Sequence, residues 1–212
     1  MTPETLTGSL TRMMSLQAEI EEQLNAVLDK DLTKERETEL SNKIQDQLEI
    51  IAERLDAGKS LALPGHLIFK ELFAHKYCYL LLEGLSAAFG KSNLFTSEEM
   101  VITSNGEPVH YLLAITYGLN KYYVDAYGIH SDLADVVNRY QLPDIEAQVF
   151  DSQDDSNPYA EPYRDACLAL LDDAETMLEE RLEEVDAGTT FDYLDHFYLL
   201  MTLKLFEGIT AN

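Results

Sequence analysis

The stretch Val109-His110-Tyr111-Leu112-Leu113-Ala114-Ile115-Thr116-Tyr117, followed by Gly118-Leu119 and then Asn120-Lys121-Tyr122-Tyr123-Val124-Asp125, decides how this chain is read. Its first part is rich in β-branched and aromatic residues, the composition of a pleated strand. Gly118 then suits the first central position of a type II′ hairpin, which needs a positive φ, and Tyr122-Tyr123-Val124 makes the returning partner. A two-residue turn at Gly118-Leu119 sets Tyr117 opposite Asn120 and Leu112 opposite Asp125. Side chains alternate between the two faces of a strand, so His110 then shares a face with Asp125 as its diagonal neighbour, within reach of a hydrogen bond. A slip of one residue would put them on opposite faces.

Outward from this hairpin, Met100-Val101-Ile102 reads as a further strand and Asn105-Gly106 as a turn. The segment from His66 to Gly90 is apolar on most sides and is expected inside the protein, with Gly90 as its stop. Before it, Leu61-Ala62-Leu63-Pro64-Gly65 reads as a punctuated linker. In the first sixty residues Leu10, Met13, Leu16, Ile20, Leu24 and Leu28, then Leu40, Ile44, Leu48, Ile51 and Leu55, recur at helical steps. Two antiparallel helices follow, parted at Asp29-Lys30-Asp31 and stopped at Ala57-Gly58. Downstream, a short helix from Ser131 to Tyr140 is capped by Ser131, and Asp151 to Pro162 is a polar loop. Two closing helices run from about Tyr163 to Val185 and from about Phe191 to Phe206, divided by Ala187-Gly188 with Thr189 or Thr190 as cap. The expected fold class is therefore α+β and mostly helical, a small β-hairpin or sheet packed on a central helix, with an N-terminal helical hairpin and C-terminal helices. The expected divisions are 1–60, 61–145 and 146–212, or all one domain.

Composition bounds the function. Hydrophobic residues make up 46% and charged ones 25% of 212 residues, enough for a sizeable core. Acidic residues number 39 against 15 basic, a net charge of −24. That balance repels nucleic-acid phosphate and anionic lipid, so neither nucleic acid nor membrane is an expected partner, and a protein with a basic surface is. The first 25 residues lack the basic and apolar regions of a signal peptide, and no apolar run approaches the roughly 18 residues of a membrane span. Two cysteines give no disulfide framework. The cytosol is the expected compartment, where a thiol stays available for chemistry.

Cys78, His110 and Asp125 are the candidate catalytic residues. Cys78 lies ahead of Leu80-Leu81-Leu82, Leu85 and Phe89. A helix starting near Ala74-His75 would turn its positive end towards a Cys78 thiolate, whereas a helix already running from His66 would leave Cys78 mid-helix. His110 has the character of a general base and Asp125 of the acid that orients it. The bland reading of Cys78 is a small apolar side chain in a leucine-rich helix. Other patterns fail: Gly84 to Ser92 has five residues between its glycines where a phosphate loop has four, Glu71 and His75 lack a completing metal pair, and the acidic series Asp172 to Asp186 has no calcium-loop spacing.

Lys76-Tyr77-Cys78-Tyr79-Leu80, the apolar run ending in Phe89-Gly90, Pro108-Val109-His110-Tyr111 and Tyr122-Tyr123-Val124-Asp125-Ala126-Tyr127-Gly128 together resemble the core of the transglutaminase-like, papain-related superfamily. The resemblance covers about Pro64 to Tyr140 and extends to uncharacterised bacterial and phage proteins. It implies a cysteine at a helix start followed by a histidine on one strand and an aspartate on the next; here 32 positions separate Cys78 from His110 and 15 separate His110 from Asp125. Leu112 stands where an aromatic residue often follows the histidine, and the chain has no tryptophan. The implied chemistry is cysteine-dependent acyl transfer or amide hydrolysis on a protein or small-molecule substrate, with no cofactor and no metal. The alternative is a non-catalytic acidic interaction protein, of inhibitor or DNA-mimic type, that occupies a basic site on a partner.

Overall fold

The structure, a computed structural model, describes residues 34–55, 58–62, 70, 73–74, 77–179 and 187–211. Its elements are α1 (Lys34–Leu55), β1 (Leu61–Ala62), α2 (Cys78–Gly90), β2 (Thr96–Ser104), β3 (Glu107–Tyr117), β4 (Asn120–Asp125), β5 (Gly128–His130), α3 (Leu133–Val137), β6 (Ile145–Val149), α4 (Ala160–Glu179) and α5 (Ala187–Thr210). The strands form one sheet in the order β1-β5-β4-β3-β2-β6, every neighbouring pair antiparallel. The expected first helix, Leu10 to Leu28, lies outside the described residues.

A six-stranded sheet overturns the mostly helical expectation; the fold is a sheet-rich α+β. The added strands are short: β1 has two residues, β5 three and β6 five. Over so few residues an alternating pattern has no room to declare itself. Leu61-Ala62, read as linker, is β1, paired to Ile129 and Gly128. The short helix runs only from Leu133 to Val137, and its cap is Asp132, which accepts from the Ala134 N–H, not Ser131. Ala187-Gly188 does not divide the closing helices but opens α5.

Two tight turns set the centre of the sheet. Asn105 and Gly106 have φ of 53° and 83°, the positive pair of a type I′ hairpin between β2 and β3. Gly118, with φ of 62°, turns β3 into β4. The central strands are buried on both faces. Val101, Tyr111, Leu113, Ile115, Tyr122 and Val124 join the core beneath α1, α2 and α5, while Met100, Ile102, Leu112 and Ala114 pack with Val136 of α3 on the other face.

On α1, Leu40, Ile44, Leu48, Ile51 and Leu55 fall at steps of three and four and are all buried. Burying each contributes roughly 1.5–3 kcal/mol relative to exposure, which holds the helix down. Arg54 donates to the carbonyls of Ile209 and Thr210, which have no acceptor role left inside α5 because the helix ends there. Thr210 also bonds Gln47, so the end of α5 is tied to α1 at two points. Among the described residues, no helix is long and apolar enough to cross a membrane.

Helix α2 lies between the sheet and α5, which is why it is apolar on most sides. Gly84 marks the closest approach: a Cβ there would stand 2.6 Å from the Tyr198 carbonyl oxygen and would also meet Thr202 Oγ1. Because the obstacle is backbone, it has little freedom to yield. Gly84→Ala should destabilise the fold by about 1–3 kcal/mol. Gly90→Ala, whose Cβ meets nothing within 4 Å, should not. Denaturant midpoints of the two variants check this.

Candidate active site

The hairpin register is the one the glycine turn requires, running from Tyr117 opposite Asn120 to Leu113 opposite Val124. One step further along lies Asp125, at the end of β4. Strand β3 outruns β4 there and continues back to Glu107, still paired on its other side with β2. In that pairing Ile102 faces His110 and Thr103 faces Pro108, so Val109 is an extra, bulged residue. A bulge is placed where a strand re-aims a side chain, and this one immediately precedes His110. His110 Nε2 stands 3.8 Å from Asp125 Oδ2, with 1% and 0% of the two side chains exposed. The two are on one face and adjacent, just beyond direct hydrogen-bond length.

Cys78 is the first residue of α2, after Tyr77 at the cap position. Its Sγ accepts the N–H of Tyr111 at 3.4 Å. The thiol therefore docks on the part of β3 that β4 leaves uncovered, against the residue next to His110. Burial pushes the Cys78 thiol up to about 11; the N–H groups of Tyr111, Tyr79 and Cys78 itself work against that rise, and the Asp125 charge adds to it. Cys78 is 8% exposed. The other thiol, Cys167, is half-buried on α4 beside Glu83, and burial with that carboxylate pushes it up to about 12.

Asp125 has more partners than the sequence disclosed. Its Oδ1 accepts the Tyr127 N–H at 2.8 Å, closing the tight turn between β4 and β5, and lies 3.0 Å from His130 Nε2. Its Oδ2 accepts from Arg139 Nη1, while Arg139 Nη2 lies 2.9 Å from the same His130 Nε2. That nitrogen serves one of them at a time: protonated it donates to Asp125, unprotonated it accepts from Arg139. Burial alone would raise the Asp125 carboxyl. The His130 hydrogen bond and the charges of His110, Arg139 and His130 outweigh it and hold the group below the usual carboxylate value.

An aromatic wall completes the setting. The Tyr140 ring packs on His110 at 5.2 Å between centroids, and its hydroxyl donates to the Ala74 carbonyl at 3.1 Å. The Arg139 guanidinium lies 4.3 Å from the centre of the Tyr127 ring, with Lys70 Nζ 5.5 Å from the same centre. His130, Arg139 and Tyr140 were not foreseen. His130 reaches the site because β5 folds straight back on β4 and sets it opposite Tyr123, on the face of Asp125. The signal for that was Gly128, whose φ of 128° permits the return. Arg139 and Tyr140 arrive from the turn after α3, and spacing alone does not announce them.

One end of the sheet thus carries a thiol at a helix start, bonded to the strand N–H next to His110, and a carboxylate 3.8 Å from the His110 ring. Among the described residues, no group of three or more His, Cys, Asp or Glu side chains could hold a metal ion. A separate open groove of about 470 Å³ is lined by Glu83, Glu98, Glu99 and Asp151 among others, and none of the three candidate residues faces it.

Replacing Asp125 by Asn removes the partner of a largely buried guanidinium and should cost about 3 kcal/mol at neutral pH. The sign with pH follows from the lowered carboxyl. Its contribution is fully present above the unfolded-state value near 3.9 and is lost as pH falls through the lower folded value. Urea midpoints of the wild type and Asp125→Asn should therefore differ by a constant amount above about pH 5 and converge below about pH 4. In comparisons with protein-family models, curated proteins and solved structures, the chain matches none.

Proposed function

We propose that the chain is a cysteine-dependent acyl transferase or amide hydrolase, with Cys78 as nucleophile, His110 as general base and Asp125 as the group that orients His110. The observation that carries this reading is the Tyr111 N–H to Cys78 Sγ contact, which docks the thiol on the strand bearing His110 beside Asp125. Catalysis by such a set runs in two halves. The thiol gives its proton to His110 as sulfur attacks the carbonyl carbon, and the carbonyl oxygen takes up the negative charge. The N–H groups of Cys78 and Tyr79, in the first turn of α2, have no acceptor within the helix and are the natural donors to that oxygen. Collapse breaks the carbon–nitrogen bond, His110 returns the proton to the departing amine, and the acyl group remains on Cys78 as a thioester. Water or a second amine, deprotonated by His110, then releases it.

The burial of Cys78 favours a different reading, in which the thiol is a small core side chain and the chain acts as an acidic interaction protein. The groove lined by Glu83, Glu98, Glu99 and Asp151 is then where a basic partner binds. The two readings part on the thiol. Under the catalytic one, p-nitrophenyl acetate acetylates Cys78 before Cys167, and mass spectrometry of the intact chain and its peptides locates the thioester. His110→Ala slows that step by about 10²-fold or more while leaving Cys167 unchanged. Equal acetylation of both cysteines, indifferent to His110→Ala, would overturn the catalytic reading.

A further inference from the structure

The carboxylate oxygen turned towards His110 is already taken. Asp125 Oδ2 accepts from Arg139 Nη1, and His110 Nε2 stands back from the same oxygen at 3.8 Å. An aspartate that serves only to draw a proton onto its histidine does not need a guanidinium on that oxygen. Here the guanidinium is held firmly: it spans Asp125 and His130, and it stacks on the Tyr127 ring. Only 23% of the Arg139 side chain is exposed, so solvent screens the pair little.

We infer that Arg139 is a positioning residue of this site, one that balances the charge of Asp125 so that Cys78 and His110 both rest uncharged and the imidazole keeps a lone pair for the thiol's proton. The inference rests on the proposed role of His110 as base. An aspartate with no counter-charge favours the imidazolium beside it, and an imidazolium has no lone pair left for the thiol. With Arg139 on Oδ2, Asp125 still fixes the geometry of the site while its net pull on the proton of His110 is small. The raised thiol of Cys78 agrees with a neutral resting pair.

The other titratable groups reach the site from different elements. Cys78 approaches from α2 and Tyr140 from the turn after α3, and neither carries positive charge. His130 of β5 supports the Oδ1 side of Asp125, and among the described residues Arg139 alone bonds the Oδ2 atom that faces His110. Lys70 stands over the Tyr127 ring, and partial burial and then the charge of Arg139 lower its hold on a proton.

The test is the protonation midpoint of the His110 ring, followed by NMR in the full chain and assigned by its loss in His110→Gln. Arg139→Gln should raise that midpoint by about one unit or more, because the nearby carboxylate loses its counter-charge. Arg139→Lys, which restores the charge, should bring it back most of the way. A midpoint that is unchanged or lowered in Arg139→Gln overturns the proposal. Should that variant not fold, Asp125→Asn with Arg139→Gln removes both partners and leaves no lone charge. Its His110 midpoint should then match the wild type, and a midpoint well below the wild type would mean that Asp125 acts on His110 undiminished. The proposed catalytic function fails by a separate sign, the indifference of Cys78 to His110→Ala.

Discussion

A carboxylate carried out of water into an apolar sheet survives only where donors surround it, and one end of this molecule is arranged round that demand at Asp125. Tyr127 answers it with a backbone N–H, which fixes the turn from β4 to β5. His130 answers from β5, and Arg139 answers from beyond α3. Each of these donors belongs to a different element, so satisfying one ion fixes the relative placement of all of them. The same charge, ionised and nine-tenths or more buried, stands beside His110 and within electrostatic range of Cys78. Structure and candidate chemistry therefore share one anchor, and weakening it affects both.

How much was legible follows from the range of each signal. The β3–β4 hairpin was readable because one glycine fixes the turn and the turn fixes the register, and the shared face of His110 and Asp125 then follows by counting. Cys78 was readable as the head of an apolar helix, although only the structure decides that α2 begins at Cys78. The rest depends on contacts distant in sequence. Strand β1 pairs with Gly128 and Ile129, 66 and 68 positions away, and β6 with Met100 to Ser104, 41 to 49 positions away, and both have too few residues to show a period of their own. With those strands hidden, the helical periodicities dominate the sequence pattern. Arg139 was hidden for the same reason, since a lone arginine after a short helix looks like any solvated charge until the fold brings it to Asp125.

The charge of the chain bears on the site in a particular way. With 15 basic residues among 212, most of the surface carries negative potential. Arg139 and Lys70 nonetheless converge on one tyrosine ring beside the buried carboxylate of Asp125. There the guanidinium of Arg139 offsets the charge of Asp125 inside a field that is negative over the rest of the chain. The acidic groove between α2 and β6 lies in the opposite electrostatic setting, which separates the two regions by chemistry as well as by position.

The tie between Arg54 and the carbonyls of Ile209 and Thr210 has a consequence in time. Its partners are 155 and 156 positions apart, so this closure joins the earliest and latest described helices. Contacts of such long range cost loop entropy before they return any stability, and they slow folding. As the chain leaves the ribosome, the sheet and α2 can assemble first, yet the apolar faces of α1 and α2 have no cover until α5 emerges. An apolar flank left uncovered at that stage favours association between copies of the chain.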